Sequence, residues 1–357
     1  MQFQISKNKK TQGGKMFKKS ILVVMTALMI MLFSQVGFGD DIKGYMIPEY
    51  YYVGSHHTGE DGIEGQNGFW LRRIYFGYNT DLGDGWSARL RFEMNSPAFG
   101  EGTMVPYVKN AHLKKKLGGG AAILAGIIEP PSFNKIEKFW GYRFIEKTAP
   151  DFFKFASSRD FGVALDGKTK GGLVYTLMVG NYGSNKGEDN KGKAFYGRFG
   201  WEAKNMYVEA NGHFANDGSK DYTYLTLFGG VKGDWGRFGV GYHYLDVKPD
   251  GGEGTNDGII SAFAAVKMSK KAEVFARYDH HTDLSHKNIG SYVPIPANDF
   301  KARYLMGGVS FEINKMIKFS PNIKYVFYGD DNGSKPGGDL YFNLTAKISF
   351  KTSIGKK

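Results

Sequence analysis

Beyond residue 40 the chain alternates apolar and polar residues with a period of two, and no apolar stretch of 18 residues occurs there. Leu340, Phe342, Leu344, Ala346, Ile348 and Phe350 fall on one side, and Tyr341, Asn343, Thr345, Lys347 and Ser349 on the other. Successive side chains of a strand point to opposite faces, so this is the pattern of a strand with one apolar face. The same reading holds where Trp86, Ala88, Leu90, Phe92 and Met94 oppose Ser87, Arg89, Arg91, Glu93 and Asn95. It holds again where Met206, Val208, Ala210, Gly212 and Phe214 oppose Tyr207, Glu209, Asn211 and His213, and where Phe238, Val240, Tyr242 and Tyr244 oppose Arg237, Gly239, Gly241 and His243.

Segments of this kind begin near residues 44, 69, 86, 107, 120, 159, 172, 194, 206, 221, 236, 257, 271, 299, 316 and 339. Each has roughly the 9 to 11 residues that a tilted strand needs to cross a bilayer. Their connections alternate. Short turns such as Asp81 to Gly85 and Gly118 to Gly119 are followed by longer polar stretches such as Ser55 to Gly68 and Pro130 to Ser158. An even strand number with short turns at one end and long loops at the other predicts an all-β fold, a 16-stranded antiparallel transmembrane β-barrel with a long third loop folded inward. A pair of soluble sandwiches would also use short strands and turns. Against it stand Trp70, Trp86, Tyr222, Tyr224, Tyr242, Tyr244, Phe342 and Phe350, which fall near strand ends where an interfacial aromatic girdle is expected.

Residues 1–39 read as an export signal. From Met16 the chain carries two lysines, an apolar run from Ile21 to Phe33, then Gly37 and Gly39 before Asp40, which predicts cleavage after Gly39. The polar residues 1–15 read as an over-extended start, with initiation at Met16. The barrel domain is thus expected over 40–357. Lys7, Lys9, Lys10, Lys15, Lys18 and Lys19, with no acid among them, account for half of the formal charge of +12. The remainder shows no stripe of bases interleaved with stacking aromatics, so nucleic acid is not an expected partner. With no cysteine, disulfide frameworks, thiol nucleophiles and cysteine metal sites are excluded.

If apolar faces meet lipid, parity assigns the lumen. The expected lining bases are Arg73, Arg89, Arg91, Lys114, Lys116, Lys168, Arg198, Arg237, Arg277, Lys301, Arg303, Lys324 and Lys347; the acids are Glu49, Glu93, Asp166, Glu202, Glu209, Glu273 and Asp279. A surplus of bases in a narrow passage concentrates anions, although neighbouring Arg and acid residues also brace walls, as Arg277 would with Glu273 and Asp279. The stretch 130–158 holds Phe133, Phe139, Trp140, Tyr142, Phe144, Phe152, Phe153 and Phe155, all needing cover. Folding it into the barrel would place Lys135, Lys138, Arg143, Lys147 and Lys154, with Arg159 just beyond, at a constriction. Packing of that loop on a neighbouring subunit is the other way to cover it.

Arg72 and Arg73 in FWLRRIYFGY, Gly126 to Pro131 (GIIEPP), Arg159, Gly162 and Gly167 in SSRDFGVALDG, and Asn181 with Gly183 together resemble the phosphate-selective porin family. The resemblance implies a sixteen-stranded outer-membrane barrel, a homotrimer in the lipid bilayer, passing small anionic solutes such as phosphate. The family commonly has a lysine in the glycine-to-proline corner. This chain has Glu129, an acid expected to oppose anion binding.

No GxSxG and no HExxH stands in the chain, and GEDNKGKA at 187–194 lacks the final Ser/Thr of a phosphate-binding loop. His280, His281 and His286 with Asp279 and Asp283 fit no zinc spacing, and His56 with His57 is a weaker candidate still. The expectation is a passive channel with modest anion preference, no catalysis and no cofactor. The alternative is a barrel with little permeation whose loops bind an external ligand.

Overall fold

In the computed structural model the described residues are 40–57, 62–97, 102–281, 302–329 and 336–354. The expected export signal with its start at Met16, and Lys301, Asp283 and His286, lie outside them. Sixteen strands form one closed antiparallel barrel in which each strand pairs with its sequence neighbours and the last returns to the first. They are β1 (Asp40–Ser55), β2 (Asn67–Gly83), β3 (Trp86–Asn95), β4 (Pro106–Gly118), β5 (Ala121–Ile128), β6 (Asp160–Lys168), β7 (Leu173–Gly180) and β8 (Ala194–Glu202). The second half comprises β9 (Met206–Asn216), β10 (Lys220–Gly233), β11 (Gly236–Pro249), β12 (Thr255–Lys267), β13 (Ala272–His281), β14 (Ala302–Asn314), β15 (Ile317–Tyr328) and β16 (Asp339–Ile354). Closure leaves no edge strand, so every backbone donor in the wall has a neighbour to pair with, the condition for crossing hydrocarbon with strands. The β2–β3 turn shows how local chemistry sets the short ends: Asp84 and Gly85 both have positive φ, 49° and 77°, the two-residue geometry that matches strand twist.

The apolar face points outward. Leu113, Val163, Leu177, Phe199, Leu227, Val240, Ile260 and Leu344 are all exposed on the outer surface. Their neighbours in sequence, including Thr176, Arg198, Thr226, Ser261, Asn343 and Thr345, are buried inside. A polar interior and an apolar exterior are the reverse of a water-soluble fold. Trp86, Tyr242 and Phe342 lie on the outer face as a girdle would require. Trp70, Tyr222 and Tyr224 do not. Trp70 Nε1 donates to the buried Glu49 carboxylate at 3.0 Å, Tyr222 donates to Asp217 at 2.7 Å, and Tyr224 is fully buried.

Tyr224 faces inward because the lumen has an apolar object to cover. Between β5 and β6 the chain turns into the barrel and forms two short helices, α1 (Asn134–Trp140) and α2 (Ala149–Phe152). Phe133, Ile136, Trp140, Tyr142, Phe144, Ile145, Phe152, Phe153 and Phe155 are buried in one cluster with Tyr224, Phe228, Phe263, Phe275, Tyr304 and Met306 of the wall. Tyr142 stacks on Phe275 at 4.3 Å between ring centroids, Trp140 meets Phe263 at 5.0 Å, and Phe152 meets Tyr304 at 4.5 Å. Each such side chain removed from water contributes about 1.5–3 kcal/mol, so the third loop is held against the β10–β14 side of the wall by its own hydrophobic face.

Candidate functional site

Two local irregularities build the wall opposite that loop. On β2, Ile47 of β1 pairs with Arg73 and Pro48 with Leu71, so Arg72 is an extra residue in the ladder. Proline cannot donate to the ladder, and bulges form at such places. The bulge changes parity within one step, and both arginines turn inward: Arg72 is 1% and Arg73 5% exposed. On β4 the ladder passes from Asn110 opposite Arg91 to Val108 opposite Phe92, which leaves Lys109 extra. Lys109 Nζ reaches Glu93 at 2.9 Å inside the barrel. Strict alternation identifies Arg73 but misses Arg72 and Lys109; Pro48 is the sequence signal that bears on the first.

The expected lining residues fall into groups with different partners. Arg198, Arg237, Arg277 and Lys324, with Arg72, fasten the inward loop. Arg198 Nε pairs with Glu209 at 3.0 Å, and its guanidinium also donates to the Asn134 side chain. Arg237 pairs with Glu273 at 3.0 Å and donates to the Trp140 carbonyl at 3.1 Å. Arg277 is gripped by Asp279 through Nε at 3.0 Å and donates to the Lys147 carbonyl. Arg72 pairs with Glu49 at 3.2 Å and donates to the Phe144 and Ile145 carbonyls. Lys324 contacts Glu146 at 3.0 Å and donates to the Ile145 carbonyl at 3.1 Å. The Arg277–Asp279 brace anticipated from sequence is present, whereas Glu273 serves Arg237 instead.

A second group lies in the barrel interior around the loop. Arg73 Nε lies 3.0 Å from Glu93, which Lys109 also contacts. Arg91 rides on an aromatic plate, 3.8 Å from the Tyr75 ring centroid and 5.9 Å from that of Tyr45, and Lys347 approaches Tyr45 at 4.8 Å. From the loop, Arg143 pairs with Glu137 at 2.7 Å and Asp151 at 3.0 Å, Lys147 lies 3.9 Å from Asp151, and Lys135 lies 3.5 Å from Glu202. Among the described residues Arg89, Arg91 and Lys138 have no carboxylate within ion-pairing distance.

Glu129, the acid in the glycine-to-proline corner, is claimed by Arg159 at 2.9 Å, so the two ends of the inward loop are tied by an ion pair. Burial works against ionising Glu129, but Arg159, then Arg89, Lys138 and Arg91, outweigh it and hold the carboxyl down at about 2. The corner itself demands glycine: Gly126 has φ +124°, and a Cβ there would stand 2.2 Å from the Ala111 carbonyl oxygen.

Arg303 corrects the parity assignment. It is exposed on the outer face, while its neighbours Ala302 and Tyr304 are buried. The interior at β14 is apolar because Tyr304 and Met306 cover the loop helix α2, so polarity does not mark the inner face there. Under the loop, a cavity of about 470 Å³ is lined by Lys135, Lys138, Tyr142, Lys232, Arg237 and Lys271 among others. Of the histidine candidates, His281 contacts Asp257 at 2.6 Å and stacks on Phe153.

No family model matches the chain, and no curated protein does. Solved structures do share its fold. An anion-selective porin from Comamonas acidovorans superposes with a TM-score of 0.65 at 14% identity, covering 87% of this chain and 99% of that one. Outer-membrane OmpT of Vibrio cholerae gives 0.64 at 15% identity, over 88% and 98%. The outer membrane channel DcaP of Acinetobacter baumannii gives 0.59 at 12% identity, over 87% and 97%. What the chain has in common with these proteins is the architecture, a closed sixteen-strand barrel like that of outer-membrane channels.

Proposed function

We propose that the protein is an outer-membrane porin: a water-filled channel for passive diffusion of small solutes, with a modest preference for anions and no chemical step. The observation that carries the reading is the charge balance where the inward loop faces the β2–β4 wall. Glu93, Glu129, Glu137 and Asp151 are each matched by a base, while Arg89, Arg91 and Lys138 add positive charge with no ion-pair partner among the described residues. A surplus of fixed cations in a narrow passage raises local anion concentration. Phosphate is the anion that the sequence resemblance implies, and a homotrimer in the bilayer is the assembly; one similar structure, OmpT, is in trimer form.

Reversal potentials in planar bilayers across a salt gradient test this. An ion passing about 6 Å from a unit charge in water feels about 0.7 kcal/mol. The substitution Arg91→Glu changes the fixed charge by two units, and screening over about 10 Å at 0.1 M salt roughly halves the effect. The anion is disfavoured and the cation favoured by the same amount, so the expected fall in the anion-to-cation permeability ratio is about tenfold. Cation selectivity of the parent protein overturns the anion preference, and the absence of any conductance overturns the channel.

A further inference from the structure

We infer that the long-loop mouth of the barrel carries a site for a divalent transition metal of the zinc, cobalt or nickel class, made by His56, His57 and Asp339 across the seam where β1 meets β16. The ligand atoms of these three residues lie within 4.8 Å of one another. They are separated by some 280 residues of sequence and meet only because the barrel closes.

The local fold aims them. β1 and β16 slip register between Val53 and Ser55, so the end of β1 curls over the start of β16. Ser55 Oγ donates to the Gly338 carbonyl at 2.8 Å, and the His57 amide donates to Asp339 Oδ1 at 2.7 Å. Asp339 is fully buried and is oriented further by the Tyr328 hydroxyl, the kind of outer-shell partner that orients metal-binding carboxylates. His57 Nδ1 stands 3.0 Å from Oδ1 and 3.2 Å from Oδ2 of Asp339. Tetrahedral ligands at 2.0–2.2 Å from an ion stand about 3.4 Å apart, so a shift of a few tenths of an ångström admits the metal between them. The His56 ring lies 4.1 Å from the His57 ring, and the His56 amide is held by Glu64 Oε2 at 3.1 Å, which brings a second carboxylate beside the pair. Two imidazoles with one carboxylate favour borderline ions over calcium or magnesium, which prefer all-oxygen shells.

The test is titration of the detergent-solubilised full chain with Co²⁺, read by its visible absorption, with Zn²⁺ and Ca²⁺ as competitors. The expected result is saturation at one Co²⁺ per chain, displacement by Zn²⁺ and none by Ca²⁺. His57→Ala and Asp339→Asn should each weaken binding at least about tenfold, with His112→Ala unchanged. Asp339→Asn can compromise the seam, so His56→Ala, whose ring is only half-buried, supplies an independent variant, with circular dichroism reporting the barrel. No saturable Co²⁺ binding, or affinities within about twofold across the His56 and His57 variants, overturns the site; the readout does not depend on conduction.

Discussion

Lys324 and Glu146 form the one contact whose removal should release the inward loop most selectively. Both side chains are 1% exposed or less, their charged atoms stand 3.0 Å apart, and Lys324 also donates to the Ile145 carbonyl. Breaking a buried pair by deleting one partner costs about 3–5 kcal/mol, because the other charge is left in a poor solvent. At about 1.4 kcal/mol per decade, Lys324→Met should raise the local opening equilibrium roughly a hundredfold to a few thousandfold. The amides of Ile145 and Glu146, which donate to the Tyr142 carbonyl at 2.8 and 3.1 Å, report that opening by hydrogen exchange. Adding Glu146→Gln neutralises the carboxylate that has lost Lys324 and should restore most of the protection, since a buried pair replaced as a unit is often close to neutral. The reasoning fails if Lys324→Met exchanges within about tenfold of the parent, or if the double variant opens as readily as the single one.

Glu129 and Glu146 are both held at about 2, against an ordinary value of 4.5. Burial opposes their ionisation; Arg159 and Arg89 outweigh it at Glu129, and Lys324 and Arg72 at Glu146. Depressed carboxyls stabilise the docked loop fully above 4.5 and lose that contribution as pH falls toward 2. Single-channel noise should therefore stay flat from neutral pH to about 5 and rise below 4.5; a rise beginning near neutrality would contradict the assignment. Gly126→Ala should lower the yield of folded barrel, read by the mobility difference between heated and unheated samples, because the new Cβ meets backbone at 2.2 Å in a conformation that disfavours side chains. Glu129→Gln leaves Arg159 without its 2.9 Å partner and adds one positive charge to the passage, so anion preference should increase in the bilayer assay.

The alternation of residues was enough to read sixteen strands, their order and their antiparallel closure, and the observed strands begin within four residues of the expected positions. That information is local: a period of two, turn residues such as Asp84 and Gly85, and loop lengths are written in neighbouring positions. The inward course of the third loop was legible for the same reason, since so many aromatics in one connection need cover. What each inner charge does was not legible. Arg198 and Arg237 look like free lining residues, and Arg277 like a brace of the wall alone, until a loop from elsewhere in the chain lays carbonyls and an Asn side chain against them. Tyr224 looks lipid-facing, and Arg303 inward, until that loop gives part of the interior an apolar surface. The bulges at Arg72 and Lys109 break parity through the ladder with the adjoining strand, and Asp339 meets His57 only at the seam. The sequence by itself determined the wall, because alternation between hydrocarbon and water acts on each strand alone. Which inner cations find an acid among the described residues was decided by the tertiary structure, because ion pairs and loop docking depend on residues that only closure brings within a few ångströms of one another.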